Sequence, residues 1–147
     1  MYKHILVPTD GSKLSVKTVK QAVKFAKAVG AKITGFYAIP AYDSTYYGDG
    51  YILRAPSAKA HAEATENEAR RRLSAIEIEA EVQKVRCEVM HVVSDNPYQA
   101  IIDAAKKKKC DLIVMASHGR RGLSGLVLGS ETHKVLIHTK IPVLVCR

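Results

Sequence analysis

A chain of 147 residues, 47% of them hydrophobic and 25% charged, has the length and apolar content of one packed domain, which sets aside a two-module protein and a disordered tail. Its formal net charge of +9 poses the question of an anionic partner, and the distribution of the lysines along the chain bears on the answer. No apolar run is long enough for a signal-peptide core at the start or for a membrane span of about 18 residues anywhere. Three cysteines, Cys87, Cys110 and Cys146, form no CxxC pair, so a cytoplasmic protein with reduced thiols is the expectation.

Lys3 to Val7 is an apolar, β-branched run that stops at Pro8 and predicts the first strand. Ser12 caps a helix running to about Val29, where Gly30 ends it. Within it Lys13, Lys17, Lys20, Lys24 and Lys27 recur opposite a stripe of Val16, Val19, Val23 and Ala26. The lysines therefore read as the wet face of an amphipathic helix, in preference to a polyanion-binding surface. Lys32 to Ala38 alternates and carries β-branched and aromatic residues, which predicts the second strand. Ile39 to Ser57 holds two prolines, two glycines and four of the seven tyrosines and predicts a long loop, suited to a lid, to a partner contact, or simply to anchoring by its tyrosines.

Ala58 to about Val82 is dominated by strong helix formers and predicts a long helix. Arg86 to Val92 is the third strand, after which Asn96 caps a helix with Pro97 in its first position. Lys106 to Lys109 close that helix, where cations oppose the negative end of its dipole. Asp111 to Ala116 is a strand of the buried type, followed by the glycine-rich turn SHGRRGLSGLVLGS. Glu131 to His138 is a last short helix and Pro142 to Cys146 the fifth strand.

Strands alternating with helices predict an α/β fold over residues 1–147 as a single domain: an open, twisted, five-stranded parallel sheet, Rossmann-like, with right-handed crossovers and helices on both faces. Ligands in such sheets sit beyond the carboxyl ends of the strands where strand order reverses. If strands one and four are neighbours, the two polar turns PTDGS and SHGRRG meet there.

The segment from Ala116 to Ser130 joins a strand end, a glycine-rich turn and a helix start, an arrangement that suits phosphate. Gly119 permits close backbone approach and positive φ, amides and dipole at the helix N-terminus favour an anion, and Ser130 can add its hydroxyl. The same residues also read as an N-cap serine and ordinary turn glycines, and spacing alone leaves both readings open. His118 reads as a turn residue in preference to a general base. His133 and His138, five apart, fall on different helix faces, and no metal site is expected. The patterns GxxxxGK[ST], GxGxxG after strand one and GxSxG are absent, which argues against a P-loop NTPase, a dinucleotide fold and a hydrolase elbow.

VPTDGS after strand one, ASHGRRG after strand four, GSETHKVL opening the last helix and the terminal IPVLVCR together resemble the universal stress protein family, over essentially the whole chain except residues 42–57. ATP-binding members of that family are similar in a pattern G-x2-G-x9-G-[ST]. Here Gly119, the nine residues after it and Gly129-Ser130 match, while Ala116 stands at the first glycine and adds a methyl group. The resemblance implies strand order 3-2-1-4-5, an architecture like that of the adenine nucleotide alpha hydrolases, and bound ATP, or ADP or AMP, with Mg²⁺ as an accompanying ion. It implies that Pro8, Thr9 and Asp10 line the adenine and ribose side, that Ala38 offers backbone to the adenine edge, and that Met115 and Ala116 meet the ribose. Gly119, Gly129 and Ser130 would hold the phosphates, with Ser117 and His118 in the same turn. Arg120 and Arg121 either close over the γ-phosphate or point into water. Glu131 is a carboxylate beside phosphate, repulsive unless a cation or an outward rotamer intervenes, although an acid there suits the helix dipole.

The expected function is a regulatory stress-response protein in which nucleotide occupancy shifts conformation or partner choice and any hydrolysis is slow. The alternatives are an ATPase or nucleotidyl transferase using His118 or Asp10, and an interaction module or nucleic-acid binder without nucleotide. No specific nucleic acid and no membrane partner is expected. In the terminal strand Ile141, Val143 and Val145 alternate with Pro142, Leu144 and Cys146, so both faces are apolar and a homodimer through that strand is predicted.

Overall fold

The computed structural model describes residues 1–41, 57–119 and 128–147; most of the tyrosine-rich loop predicted over Ile39 to Ser57, together with Arg120 and Arg121, lies outside the described residues. Among them, strands and helices alternate as β1 (His4–Pro8), α1 (Lys13–Val29), β2 (Lys32–Ile39), α2 (Ala58–Gln83), β3 (Cys87–Val93), α3 (Pro97–Lys107), β4 (Leu112–Ala116), α4 (Ser130–His138) and β5 (Val143–Cys146). The strands form one sheet in the order β3-β2-β1-β4-β5, every pairing parallel. Ile5 sits at the centre of the register, opposite Ile33 of β2 on one side and Leu112 of β4 on the other.

The period of two along each strand sorts its side chains into two cores. Ile5, Val7, Ile33, Tyr37, Leu112 and Val114 face α1 and α2, while Leu6, Phe36, Ile113 and Met115 face α3 and α4. With both faces covered, the central strands have no wet side, which is why their sequences read as nearly unbroken apolar runs. The chain moves outward from β1 through β2 to β3, then crosses back to β4, so strand order reverses between β1 and β4. That reversal opens a crevice above the carboxyl ends of these two strands.

Three local expectations need correction. Val16, placed by spacing in the buried stripe of α1, is exposed; the buried stripe runs through Ser15, Thr18, Val19, Ala22, Val23 and Ala26, and at 100° per residue Val16 lies about a quarter turn from its centre. Ser12 does cap the helix, accepting from Ser15 N at 3.2 Å. Asn96 precedes α3 but makes no capping bond through its side chain; the carboxylate that caps α3 comes from Glu131 of α4. The lysine run does not continue the helix to its end, because α3 stops at Lys107 and Lys109 turns to a left-handed φ of 55°. At the other end of the sheet, β1 takes in Pro8, opposite Phe36, and Thr9 donates its N–H to the Phe36 carbonyl at 2.9 Å, so pairing carries over the one residue without a donor.

Candidate functional site

The turn after β1 is tied by its own side chains. Thr9 is buried, and its Oγ1 shares a 2.7 Å hydrogen bond with Ser15 Oγ while accepting from Gly11 N at 3.2 Å. Asp10 Oδ1 accepts from Ser12 N at 2.9 Å, an Asx-type turn that leads into α1. From the opposite side Arg72 of α2 donates through Nη1 to the Asp10 carbonyl, pairs with Glu68 through Nη2, and lies 5.3 Å from the centre of the Tyr37 ring. Gly11 is left-handed, with a φ of 73°, and a Cβ there would run into the same Arg72 guanidinium. Arg72 is the site-supporting residue that the sequence did not reveal; it is embedded in a helix of ordinary Glu, Arg and Ala composition, and only the tertiary contact distinguishes it.

The second turn hangs from the end of β4. Ser117 N donates to the carbonyl of Cys146 on β5 at 2.8 Å, and the Ser117 carbonyl accepts from Gly129 N at 2.7 Å. Thr132 Oγ1 donates to the Ala116 carbonyl at 2.8 Å, pinning the start of α4 to the strand end. A Cβ on Gly129 would lie 2.9 Å from the Cα of His118, so this position must be glycine for the two chain segments to meet. Its amide is therefore spent on Ser117 and not open to a ligand. Gly129 occupies the N-cap of α4 and Ser130 the first helical position, and the N-cap glycine has no side chain to cap the helix. The first-turn amides that follow thus lack intrahelical acceptors and carry the positive end of the dipole.

These turns bound one cavity of about 760 Å³, within the size range of small-molecule sites. Pro8, Phe36, Ile101 and Met115 supply apolar wall, and Thr9, Asp10, Ala38, Ala116, His118, Gly119, Gly129, Ser130 and Glu131 line it as well. Every described residue of the expected site except Ser117 therefore reaches this space; Ser117 is buried behind it and shares a 3.2 Å hydrogen bond with His118 Nδ1. Gly119 is not left-handed, contrary to the freedom anticipated for it. Its glycine character serves the other purpose, close approach: a Cβ would overlap Asp10 Oδ2 and stand 3.5 Å from Asp10 Cγ. The turn after β1 and the turn after β4 thus touch at these two residues.

Electrostatically the wall is uneven. Asp10, Asp95 and Glu131 line it, and no lysine or arginine does among the described residues. Asp95 Oδ1 accepts from Ala41 N at 2.9 Å. Glu131 accepts from Tyr98 N at 2.9 Å through Oε2 and from Lys134 Nζ at 3.0 Å through Oε1, so the carboxylate is turned toward α3 and paired with a cation. Among the described residues no three His, Cys, Asp or Glu side chains gather into a metal-holding group.

Comparison with known proteins fixes the lineage. The family model described as "Universal stress protein family" matches residues 1–147. The chain belongs to the universal stress protein family. A universal stress protein of Methanocaldococcus jannaschii is 32% identical over 149 residues, spanning 100% of this chain and 83% of that relative. Among solved structures, a universal stress protein in complex with cAMP superposes with a TM-score of 0.72 at 24% identity, covering 99% of this chain and 97% of the other. The universal stress protein from Archaeoglobus fulgidus in complex with dAMP superposes with a TM-score of 0.70 at 18% identity, covering 99% and 98%. The five-stranded order and the helices on both faces are the architecture shared with these family structures. Among the described residues no helix is long and apolar enough to cross a membrane.

Proposed function

We propose that this universal stress protein binds an adenine nucleotide in the crevice between β1 and β4, as ATP, ADP or AMP, and that occupancy serves a regulatory role in stress response. The observation that carries the reading is one cavity whose lining combines apolar side chains, Phe36, Ile101, Met115 and Pro8, suited to a base, with the N-terminus of α4 at Ser130, suited to phosphate. The complexes of family structures with cAMP and dAMP support the choice of adenine as the base. In this reading Ala38 presents backbone to the adenine edge, Asp10 and Ala116 meet the ribose, and Ser130 and the amides after Gly129 meet the phosphates. Mg²⁺ accompanies a di- or triphosphate as its counter-ion.

The sheet edge supports a reading of assembly. β5 is an edge strand with Leu144 exposed, and pairing with a second copy across that edge covers it, so we propose a cytoplasmic homodimer. Release of adenine nucleotide from purified protein on denaturation, together with calorimetric titration of adenosine, AMP, ADP and ATP, tests the binding; no affinity for any of them ends the proposal. Light scattering at micromolar concentration tests the dimer.

A further inference from the structure

We infer that Glu131 limits how much negative charge the cavity accepts, so that each added phosphate is bound less favourably than the helix N-terminus alone would allow. The inference rests on the adenine nucleotide reading and names its selectivity. Two helix N-termini, those of α3 and α4, border the cavity. At that of α3, Pro97 has no N–H to offer, and the next amide, Tyr98 N, donates to Glu131 Oε2 at 2.9 Å. The protein's own carboxylate thus occupies the place a phosphate oxygen would otherwise find.

The same bond fixes where the charge sits. Two hydrogen bonds, from Tyr98 N and Lys134 Nζ, hold the carboxylate in place, and it must break them to swing away when an anion enters. Glu131 lines the cavity and Lys134 does not; the lysine ammonium sits outside, 5.4 Å from the centre of the Tyr98 ring. Of the two partners only the acidic one lines the cavity, so the charge nearest an incoming phosphate is negative and its field there is repulsive. Glu131 is the second residue of α4 and its carboxylate reaches across to Tyr98 N of α3, so the charge lies within one side-chain length of the α4 amides proposed for the phosphates and is felt more by phosphoryl groups than by the nucleoside.

The test is the ratio of affinities within the series adenosine, AMP, ADP and ATP, measured by calorimetry without divalent cation for wild type, Glu131→Gln and Lys134→Met. Glutamine keeps an oxygen for Tyr98 N while removing the charge. In E131Q the affinity of ATP relative to adenosine should rise roughly tenfold, about twofold for each added phosphoryl group in a partly solvated site. In K134M, where the carboxylate loses its cation, the ratio should fall, and in both variants the change should shrink as salt is raised. An unchanged ratio in E131Q, or the same shift for adenosine as for ATP, overturns the inference while leaving the nucleotide reading standing. Failure of the wild type to bind any member of the series overturns both.

Discussion

Replacing Gly119 by alanine asks whether the turns after β1 and β4 touch as described. The backbone at Gly119 is not left-handed, so alanine brings no conformational strain and any cost comes from its methyl group. That methyl would overlap Asp10 Oδ2, and restoring ordinary contact requires a displacement of roughly 1 Å. Asp10 cannot yield freely, because its Oδ1 accepts from Ser12 N at 2.9 Å and its carbonyl is held by Arg72. Either the Ser12 bond is lost, a charge-assisted hydrogen bond of about 1–2 kcal/mol, or the β4 turn recoils and widens the crevice. A destabilisation of that size in a domain of this length lowers Tm by about 3–8 °C. An error of about 1 Å in the wall should weaken nucleotide binding roughly tenfold or more. Calorimetric melting and nucleotide titration read the two effects separately. The Asp10→Ala background isolates the clash, since with the carboxylate gone the methyl has room and Gly119→Ala should cost little stability. Equal melting and affinity in G119A and wild type, or an equal loss in both backgrounds, would refute the contact.

Arg72→Met keeps the aliphatic stem but removes the bonds to the Asp10 carbonyl and Glu68, so chemical denaturation should show a loss of about 1–3 kcal/mol, with weaker nucleotide binding as the Asp10–Gly11 turn loosens. A fully stable R72M with unaltered affinity would remove Arg72 from any supporting role. His4 is buried with Nε2 2.7 Å from Thr34 Oγ1; burial first and then Lys32 hold its pKa below the ordinary histidine value, against the opposite pull of Glu88, the Lys108 backbone and Asp111. The folded protein therefore takes up this proton less readily than the unfolded chain. Its stabilising contribution is complete above about pH 6.5 and drains as pH falls below that, a slope in Tm that His4→Gln should flatten and that a pH-independent wild type would contradict. Burial pushes the Cys110 thiol up to about 11, helped by Asp111 and Glu88, and likewise Cys87 to about 11, helped by Glu77. At neutral pH both should alkylate roughly two orders of magnitude more slowly than free cysteine until the protein is unfolded, as peptide mass spectrometry after iodoacetamide would record; labelling of the folded protein at the free-thiol rate is the contrary result.

The course of the chain was legible because its elements are written in local periods and punctuation: Ser12 before α1, Pro97 at the head of α3, the unbroken apolar run of β4. The crevice of the candidate site was legible too, since strand alternation brings the ends of β1 and β4 together. What spacing could not supply is the use to which each polar group is put. Gly129 matched a phosphate pattern, yet its amide is consumed by Ser117; Gly119 matched as a flexible turn, yet it is required for contact with Asp10, 109 positions earlier. Asn96 had the right identity and position for a cap, but the bond is made by Glu131, which is also an acid in the first turn of its own helix. A local rule assigns a donor to the nearest suitable acceptor, whereas the folded chain assigns it to whichever acceptor the packing delivers, and at the convergence of two strand ends and two helix starts several are delivered at once. The crevice is thus where local reading is least able to assign individual hydrogen-bond partners, even though it foretells which segments meet there. For the same reason Glu131, whose charge looks misplaced beside a phosphate when read along the sequence, becomes intelligible once it is seen to hold α3 and α4 together at the cavity wall.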